Sequence, residues 1–290
     1  LQVPTVFNQG KFMPLSLCFE QVDVFAEHPY QGNALAVVVG ADELTSLQMQ
    51  AFARWTQLSE TTFLLRPTDR NAHYRVRIFT PSRELPFAGH PTLGSCHVWL
   101  AHNPDCLDEE IIQECEAGLV RIKKHGRRLA FRAPPVLRSG ALEAQTLRQI
   151  ERGLGLTTQQ IQASQWVDNG PGWAGVLLKT RKDVLAIVPD YAALNGLNVG
   201  VIAPWNTAQA EADVEVRAFM GEEHNEDAVT GSLNASLAQW LIGEGVLGPS
   251  YTASQGAAMG RCGRLYIESL DAAIWVGGTV QQCISGRAVF

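Results

Sequence analysis

The apolar positions of the chain switch between a period of two and a period near 3.6, and these switches predict an α+β succession. Alternating or β-rich runs predict strands at residues 17–25, 33–39, 58–65 and 74–79. Between the second and third lies an amphipathic stretch, 46–56, opened by Thr45 or Ser46 as N-cap. A second helix is expected from Pro91 to Leu100, where proline suits the first turn. Short strands follow at 111–116, 119–124 and 127–132, the last two joined at His125-Gly126. Beyond Pro134-Pro135 the pattern predicts helices at 142–154 and 157–163, a turn-rich loop at 168–172, and strands at 174–179 and 184–188. A short helix at 190–195, a strand at 214–219, a helix ending near Leu241 and closing strands at 265–268, 273–276 and 279–285 complete the chain.

Two passages repeat one arrangement. Arg77 to Thr80 reads as a strand end, a proline-punctuated loop follows, and Gly89-His90 opens an apolar helix. Roughly 140 residues later Arg217 to Phe219 ends a strand, an acidic loop follows, and Gly231-Ser232 opens another. A helix N-terminus carries unpaired N–H groups and partial positive charge, so it favours a carboxylate or a developing oxyanion. Glycine admits close approach of a ligand, and His90 can move a proton near neutral pH. A plain helix cap with a satisfied histidine would account for Gly89 and His90 taken alone. Glu60 changes that picture. It stands where a helix gives way to a strand, among apolar and hydroxyl residues, where desolvation would raise its pKa towards that of a general base. A solvent-facing loop glutamate is the alternative. Gly32 and Asn33 could hydrogen-bond a ligand, although a turn explains them equally well.

Composition narrows the function class. The 290 residues are 46% hydrophobic and 18% charged, an ordinary composition for a chain long enough for two domains. A net charge of −6 without a basic stripe gives no reason to expect nucleic acid as a partner. The basic group Arg121, Lys123, Lys124, Arg127 and Arg128 reads as the solvated face of a hairpin. Cysteines 18, 96, 106, 115, 262 and 283 form no Cys-x-x-Cys pair, so reduced, mostly core thiols of a cytoplasmic protein are expected, with no metal site. No apolar run is long enough to span a bilayer, and residues 1–12 do not have the pattern of a signal peptide. Met13 is a candidate start, with 1–12 an expression remnant.

Several blocks occur in a familiar order: Phe19 to Phe25 with Tyr30-Gln31-Gly32-Asn33, then Leu58-Ser59-Glu60-Thr61-Thr62-Phe63, and Phe79-Thr80-Pro81. Leu85-Pro86-Phe87-Ala88-Gly89-His90-Pro91-Thr92 and Glu226-Asp227-Ala228-Val229-Thr230-Gly231-Ser232 complete the set. Together, and over nearly the whole chain, they resemble the PhzF (phenazine biosynthesis-like) family. The resemblance implies a diaminopimelate-epimerase-like fold: two pseudo-symmetric domains, each a mixed β-sheet or barrel wrapped around a central helix, with the active site between them. Pro134-Pro135 is the candidate hinge, giving an N-terminal domain at 13–133 and a C-terminal domain at 134–278, and the resemblance implies that a last strand at about 279–290 completes the first. It also implies proton-transfer chemistry without a cofactor, with Glu60 as the acid/base, assisted by His90 and Asp227. Gly89, Gly231 and Ser232 would hold the carboxylate or oxyanion of a small-molecule substrate.

This sequence departs from the family pattern at two places. Ala228 stands where the family usually has proline, and Cys262 where many relatives carry serine or proline. Three functions are compatible with the residues. The first is an isomerase of a small carboxylate. The second is an amino-acid racemase or epimerase, which would normally want two opposed thiols; Cys96 lies too far inside its helix to be one. The third is a binding or scaffold protein that keeps the fold. Symmetry favours a homodimer.

Overall fold

The computed structural model describes residues 14–207 and 209–290. The expected remnant at 1–12 and the candidate start Met13 lie outside the described residues. The first half runs through strands β1 (Ser16–Val24) and β2 (Asn33–Val39), helix α1 (Ser46–Thr56), and strands β3 (Glu60–Leu65), β4 (Tyr74–Phe79) and β5 (Glu84–Leu85). Helix α2 (Gly89–His102) follows, then β6 (Glu110–Cys115), β7 (Gly118–His125) and β8 (Arg128–Arg132). The second half opens with β9 (Arg138–Ala141), α3 (Ala144–Leu154), β10 (Ile161–Asp168) and β11 (Ala174–Leu178). Helices α4 (Arg181–Ala186) and α5 (Tyr191–Leu194) lead to β12 (Val199–Pro204), β13 (Val214–Met220) and β14 (Asn225–Asp227). The chain finishes with α6 (Gly231–Gly243), β15 (Ser250–Gln255), β16 (Gly263–Leu270), β17 (Ala273–Gly278) and β18 (Val280–Val289).

The two halves share one pairing scheme. In the first, β2 runs parallel to β3 and β4 parallel to β6, with antiparallel pairs elsewhere. In the second, β11 runs parallel to β12 and β13 parallel to β15 in the corresponding places. After β8 the chain crosses to β9 beside β10, and after β17 it crosses to β18 beside β1. An antiparallel β8–β17 ladder joins the halves. Each half wraps around its own helix, α2 or α6, and both helices are buried on nearly every side, as their mostly apolar or small residues require. The smaller helices lie outside: α1 buries Met49 and Ala53 against Phe63 and Phe79, and α3 to α5 cover β10 to β13. The fold class expected from the sequence, α+β, is the one observed.

Several elements differ from the sequence expectation. Residues 184–188 belong largely to α4, not a strand: Thr180 caps the start of the helix by accepting from the Asp183 N–H, a start signal masked by the apolar run that follows. The expected helix at 157–163 is a turn, closed by Gln160 Oε1 accepting from Thr157 N, followed by β10. Strands β9, β12 and β15 were not expected; β12 hides in a run broken by Gly200 and Pro204, and β15 is mostly polar. The basic hairpin is more than a solvated face, since Lys123 lies 4.0 Å over the Trp275 ring and the Arg128 guanidinium 3.2 Å over Tyr266. Of the six cysteines, all unpaired, only Cys96 and Cys115 are buried. Among the described residues no helix is long and apolar enough to cross a membrane.

Candidate active site

The N-termini of α2 and α6 abut. A methyl group built on Gly89 would lie 3.3 Å from the Gly231 Cα and 2.6 Å from Phe131 Cζ, so this approach is open only to glycine. Neither helix has a side-chain cap: Ala88 has no side chain to offer, and the Thr230 hydroxyl donates instead to Asp227 Oδ2 at 2.6 Å. The first-turn N–H groups of both helices are therefore left to a ligand, and two positive dipole ends converge on one spot.

Around that spot the structure gathers the residues singled out from the sequence. Glu60, the first residue of β3, places Oε2 at 3.3 Å from Nε2 of His90, the second residue of α2. The approach is close but not aligned as a hydrogen bond, so both atoms are buried without a hydrogen-bond partner. Asn33, the first residue of β2, reaches across to the other half: its Nδ2 donates to Asp227 Oδ1 at 2.8 Å and to the Val229 carbonyl at 2.9 Å. These two bonds use both amide hydrogens. His90 Nδ1, 3.5 Å from the same nitrogen, therefore faces a donor group, which leaves the ring proton on Nε2, towards Glu60. Asn33 thus positions Asp227 and His90, and its amide nitrogen is not free for a substrate. Ser232 is held rather than loose, its Oγ accepting from Trp173 Nε1 at 3.2 Å and its carbonyl from Asn169 Nδ2 at 2.9 Å.

Sequence reasoning missed Gln255. Its Oε1 accepts from the Thr230 N–H at 3.0 Å and from Asn234 Nδ2 at 2.8 Å, while its Nε2 donates to the Asp227 carbonyl at 3.0 Å. This wholly buried amide fixes the Asp227–Thr230 turn, in which Ala228 lacks the fixed φ of a proline, from the strand that follows α6. No local signal marks a glutamine for such a task. Asn169 and Trp173 were also missed as supports of Ser232, although the turn-rich loop at 168–172 that carries Asn169 and ends beside Trp173 was visible.

Burial sets the proton affinities. It pushes Glu60 up to about 8, with the charges of Asp227 and Glu223 adding to the effect. It pushes His90 down to about 3, so the imidazole is neutral at physiological pH. Asp227 is raised by burial, against the opposing hydrogen bonds from Thr230 and Asn33. Cys96 is pushed up to about 12 by burial and stays a thiol.

Two pH effects follow. If ionised Glu60 is the base, kcat/KM should climb about tenfold per pH unit below its pKa and level off above about 8; a flat profile between pH 6 and 9 would remove Glu60 from that role. Stability should respond in the opposite sense. The folded pKa of Glu60 lies above its ordinary 4.5, so its contribution is fully present below that value and is lost as pH rises through about 8. His90, lowered from 6.5 to about 3, contributes above 6.5 and loses that contribution as pH falls. The melting temperature of Glu60→Gln relative to the parent should therefore rise between pH 5 and 9, and a constant difference would contradict the burial argument.

Comparison with known proteins adds to this geometry. The family model described as phenazine biosynthesis-like protein, PhzC-PhzF, matches residues 22–290. A fission-yeast protein, antisense-enhancing sequence 1 of Schizosaccharomyces pombe, is 35% identical, with 93% of this chain and 98% of the relative aligned. Trans-2,3-dihydro-3-hydroxyanthranilate isomerase of Pseudomonas aeruginosa is 31% identical over 92% of this chain and 97% of its own. Among solved structures, a phenazine biosynthesis protein of the PhzF family from Enterococcus faecalis superposes with a TM-score of 0.79 at 28% identity, covering 94% of this chain and 99% of that one.

Proposed function

The chain belongs to the PhzC-PhzF family of phenazine biosynthesis-like proteins, and from that premise we propose that it is a cofactor-independent isomerase that shifts a proton, and with it a double bond, in a small carboxylate. One observation carries the reading: two buried proton carriers without hydrogen-bond partners, Glu60 Oε2 and His90 Nε2, face each other beside two uncapped helix N-termini. Unpaired buried polar atoms are costly, and a substrate that hydrogen-bonds to them offsets that cost.

The chemistry is a balanced proton shift. Ionised Glu60 takes a proton from a carbon next to an unsaturated or carbonyl group, breaking C–H and forming O–H. The electron pair spreads into the conjugated system, and negative charge collects where the first-turn N–H groups of α2 and α6 can accept it. Glu60 then returns the proton to a different carbon, and the double bond ends one position along. His90, kept neutral by burial, donates its Nε2 proton as a hydrogen bond without adding charge. Asp227, held by Asn33 and Thr230, fixes the opposite wall.

The unequal halves favour this over racemisation. A racemase needs a second proton carrier across the substrate. In the second half the stretch matching Glu60, at the start of β12, is Asn198-Val199-Gly200-Val201, and the Asn198 amide is already engaged with the Pro171 carbonyl and the Gly221 N–H. At the second position of the helix, His90 is matched by Ser232, not by a thiol pair. The relative named above supplies the first compound to test, trans-2,3-dihydro-3-hydroxyanthranilate, a cyclic hydroxylated amino carboxylate.

That compound and a series of β-hydroxylated and unsaturated carboxylates should be incubated with the purified protein and followed by absorbance and NMR. Conversion to a double-bond isomer without added cofactor is the expected result. Epimerised product with its double bonds unmoved would instead support the racemase reading.

A further inference from the structure

At the far end of α2 lies a second group of chemically active side chains. Cys18 and Glu20, two residues apart on β1, share the face of that strand that packs on α2, and His102 is the last residue of the helix. Cys18 Sγ is 3.5 Å from Glu20 Oε1 and 3.8 Å from His102 Nε2, and Glu20 Oε1 is 3.7 Å from His102 Nε2. Three ligands placed tetrahedrally at bond lengths of about 2.0–2.3 Å stand about 3.3–3.7 Å from one another. The observed triangle therefore nearly matches the donor positions of a tetrahedral site.

We propose that Cys18 Sγ, Glu20 Oε1 and His102 Nε2 bind a divalent cation of borderline softness, Zn²⁺ before others, with water in the fourth position. A thiolate, an imidazole and a carboxylate together suit zinc better than the oxygen-seeking Mg²⁺ or Ca²⁺. Binding releases the Cys18 thiol proton to solvent and leaves oxidation states unchanged.

Three independent features support the assignment. Glu20 is buried, at 8% exposure, yet its only ion pair among the described residues is the one with His102. Its carboxylate is oriented as metal-bound carboxylates are: Gln282 Nε2 donates to Oε2 at 2.6 Å and Ser285 Oγ to Oε1 at 3.1 Å, both from β18. The site also stands at the C-terminus of a 14-residue helix, the end that attracts a cation. A similar cluster, His73, Cys106 and Asp108, fails on its hydrogen bonds. His73 Nδ1 accepts from the Ile112 N–H at 3.0 Å, so Nε2 keeps its proton and donates to Asp108.

Twelve residues of helix, about 18 Å, separate this cation from His90, so its role is structural. It would pin β1, and through Gln282 and Ser285 also β18, to the end of the helix whose beginning carries the candidate active site.

The test is a Co²⁺ titration of the reduced full chain. One equivalent should produce a thiolate-to-cobalt charge-transfer band that Zn²⁺ abolishes, and Zn²⁺ should raise the melting temperature. Cys18→Ser should lose the band, His102→Ala should weaken binding by more than the roughly 10- to 100-fold typical of an outer-shell change, and His73→Ala should behave as the parent. His102 lies at an exposed helix end, so its variant tests the ligand without threatening the fold. No charge-transfer band, or a band kept in Cys18→Ser, would overturn the assignment.

Discussion

Glu60→Gln should lower kcat by about 10²–10⁴-fold, the contribution of one well-placed general base, while leaving the fold intact. The amide is nearly isosteric with the carboxyl and neutral, as the buried acid itself is below about pH 8. Far-UV circular dichroism and the melting temperature should therefore match or exceed those of the parent. His90→Ala should cost less, because His90 supplies a hydrogen bond rather than the proton acceptor. Full turnover by a folded Glu60→Gln protein would remove the carboxylate from the chemistry.

The second large effect is expected from a single methyl group. In Gly89→Ala the new Cβ would fall 2.6 Å from Phe131 Cζ and 2.9 Å from Cε1, with the Gly231 Cα at 3.3 Å. Phe131 is fully buried and has little room to withdraw, so the two helix N-termini must move apart. Overpacking of this kind costs about 1–3 kcal/mol, and a displacement approaching 1 Å at a reacting site costs on the order of 10²-fold in rate. Gly243→Ala is the matched control, since it lies in α6 with nothing within 4 Å of the added carbon. It should be neutral or slightly stabilising, as alanine is the better helix former. Equal activities for the two variants would mean that the contact between helix ends does not matter to function.

The site was partly legible in the sequence. Gly89-His90 and Gly231-Ser232 stood out because a helix start has a local signature, and Glu60 because it sits at a helix–strand junction. The structure brings Glu60, His90 and Asp227 to one place. What could not be read was the wiring between them. Asn33 and Asp227 are 194 residues apart, and Gln255 follows the turn it fixes by a whole helix, so no spacing rule connects them. Among the elements, α1 carried its helical period, while α2 was marked by its proline in the first turn and its apolar run. By contrast α4 was misread because Val184 to Val188 looks like a strand core, and tertiary packing on β12 and β13 overrides that preference. The cluster at Cys18, Glu20 and His102 stayed hidden for the same reason as Asn33, its histidine being 84 residues from the cysteine.

The central claim is carbon-acid proton transfer by Glu60 on one face of a bound carboxylate. Its most direct test is NMR in deuterated water, comparing the parent with Glu60→Gln on any carboxylate that the protein converts. The account predicts deuterium at a single product carbon, delivered to one face, at a rate that falls at least about 10²-fold in the variant. Deuterium incorporated equally on both faces, or at the same rate without the carboxylate, would contradict it.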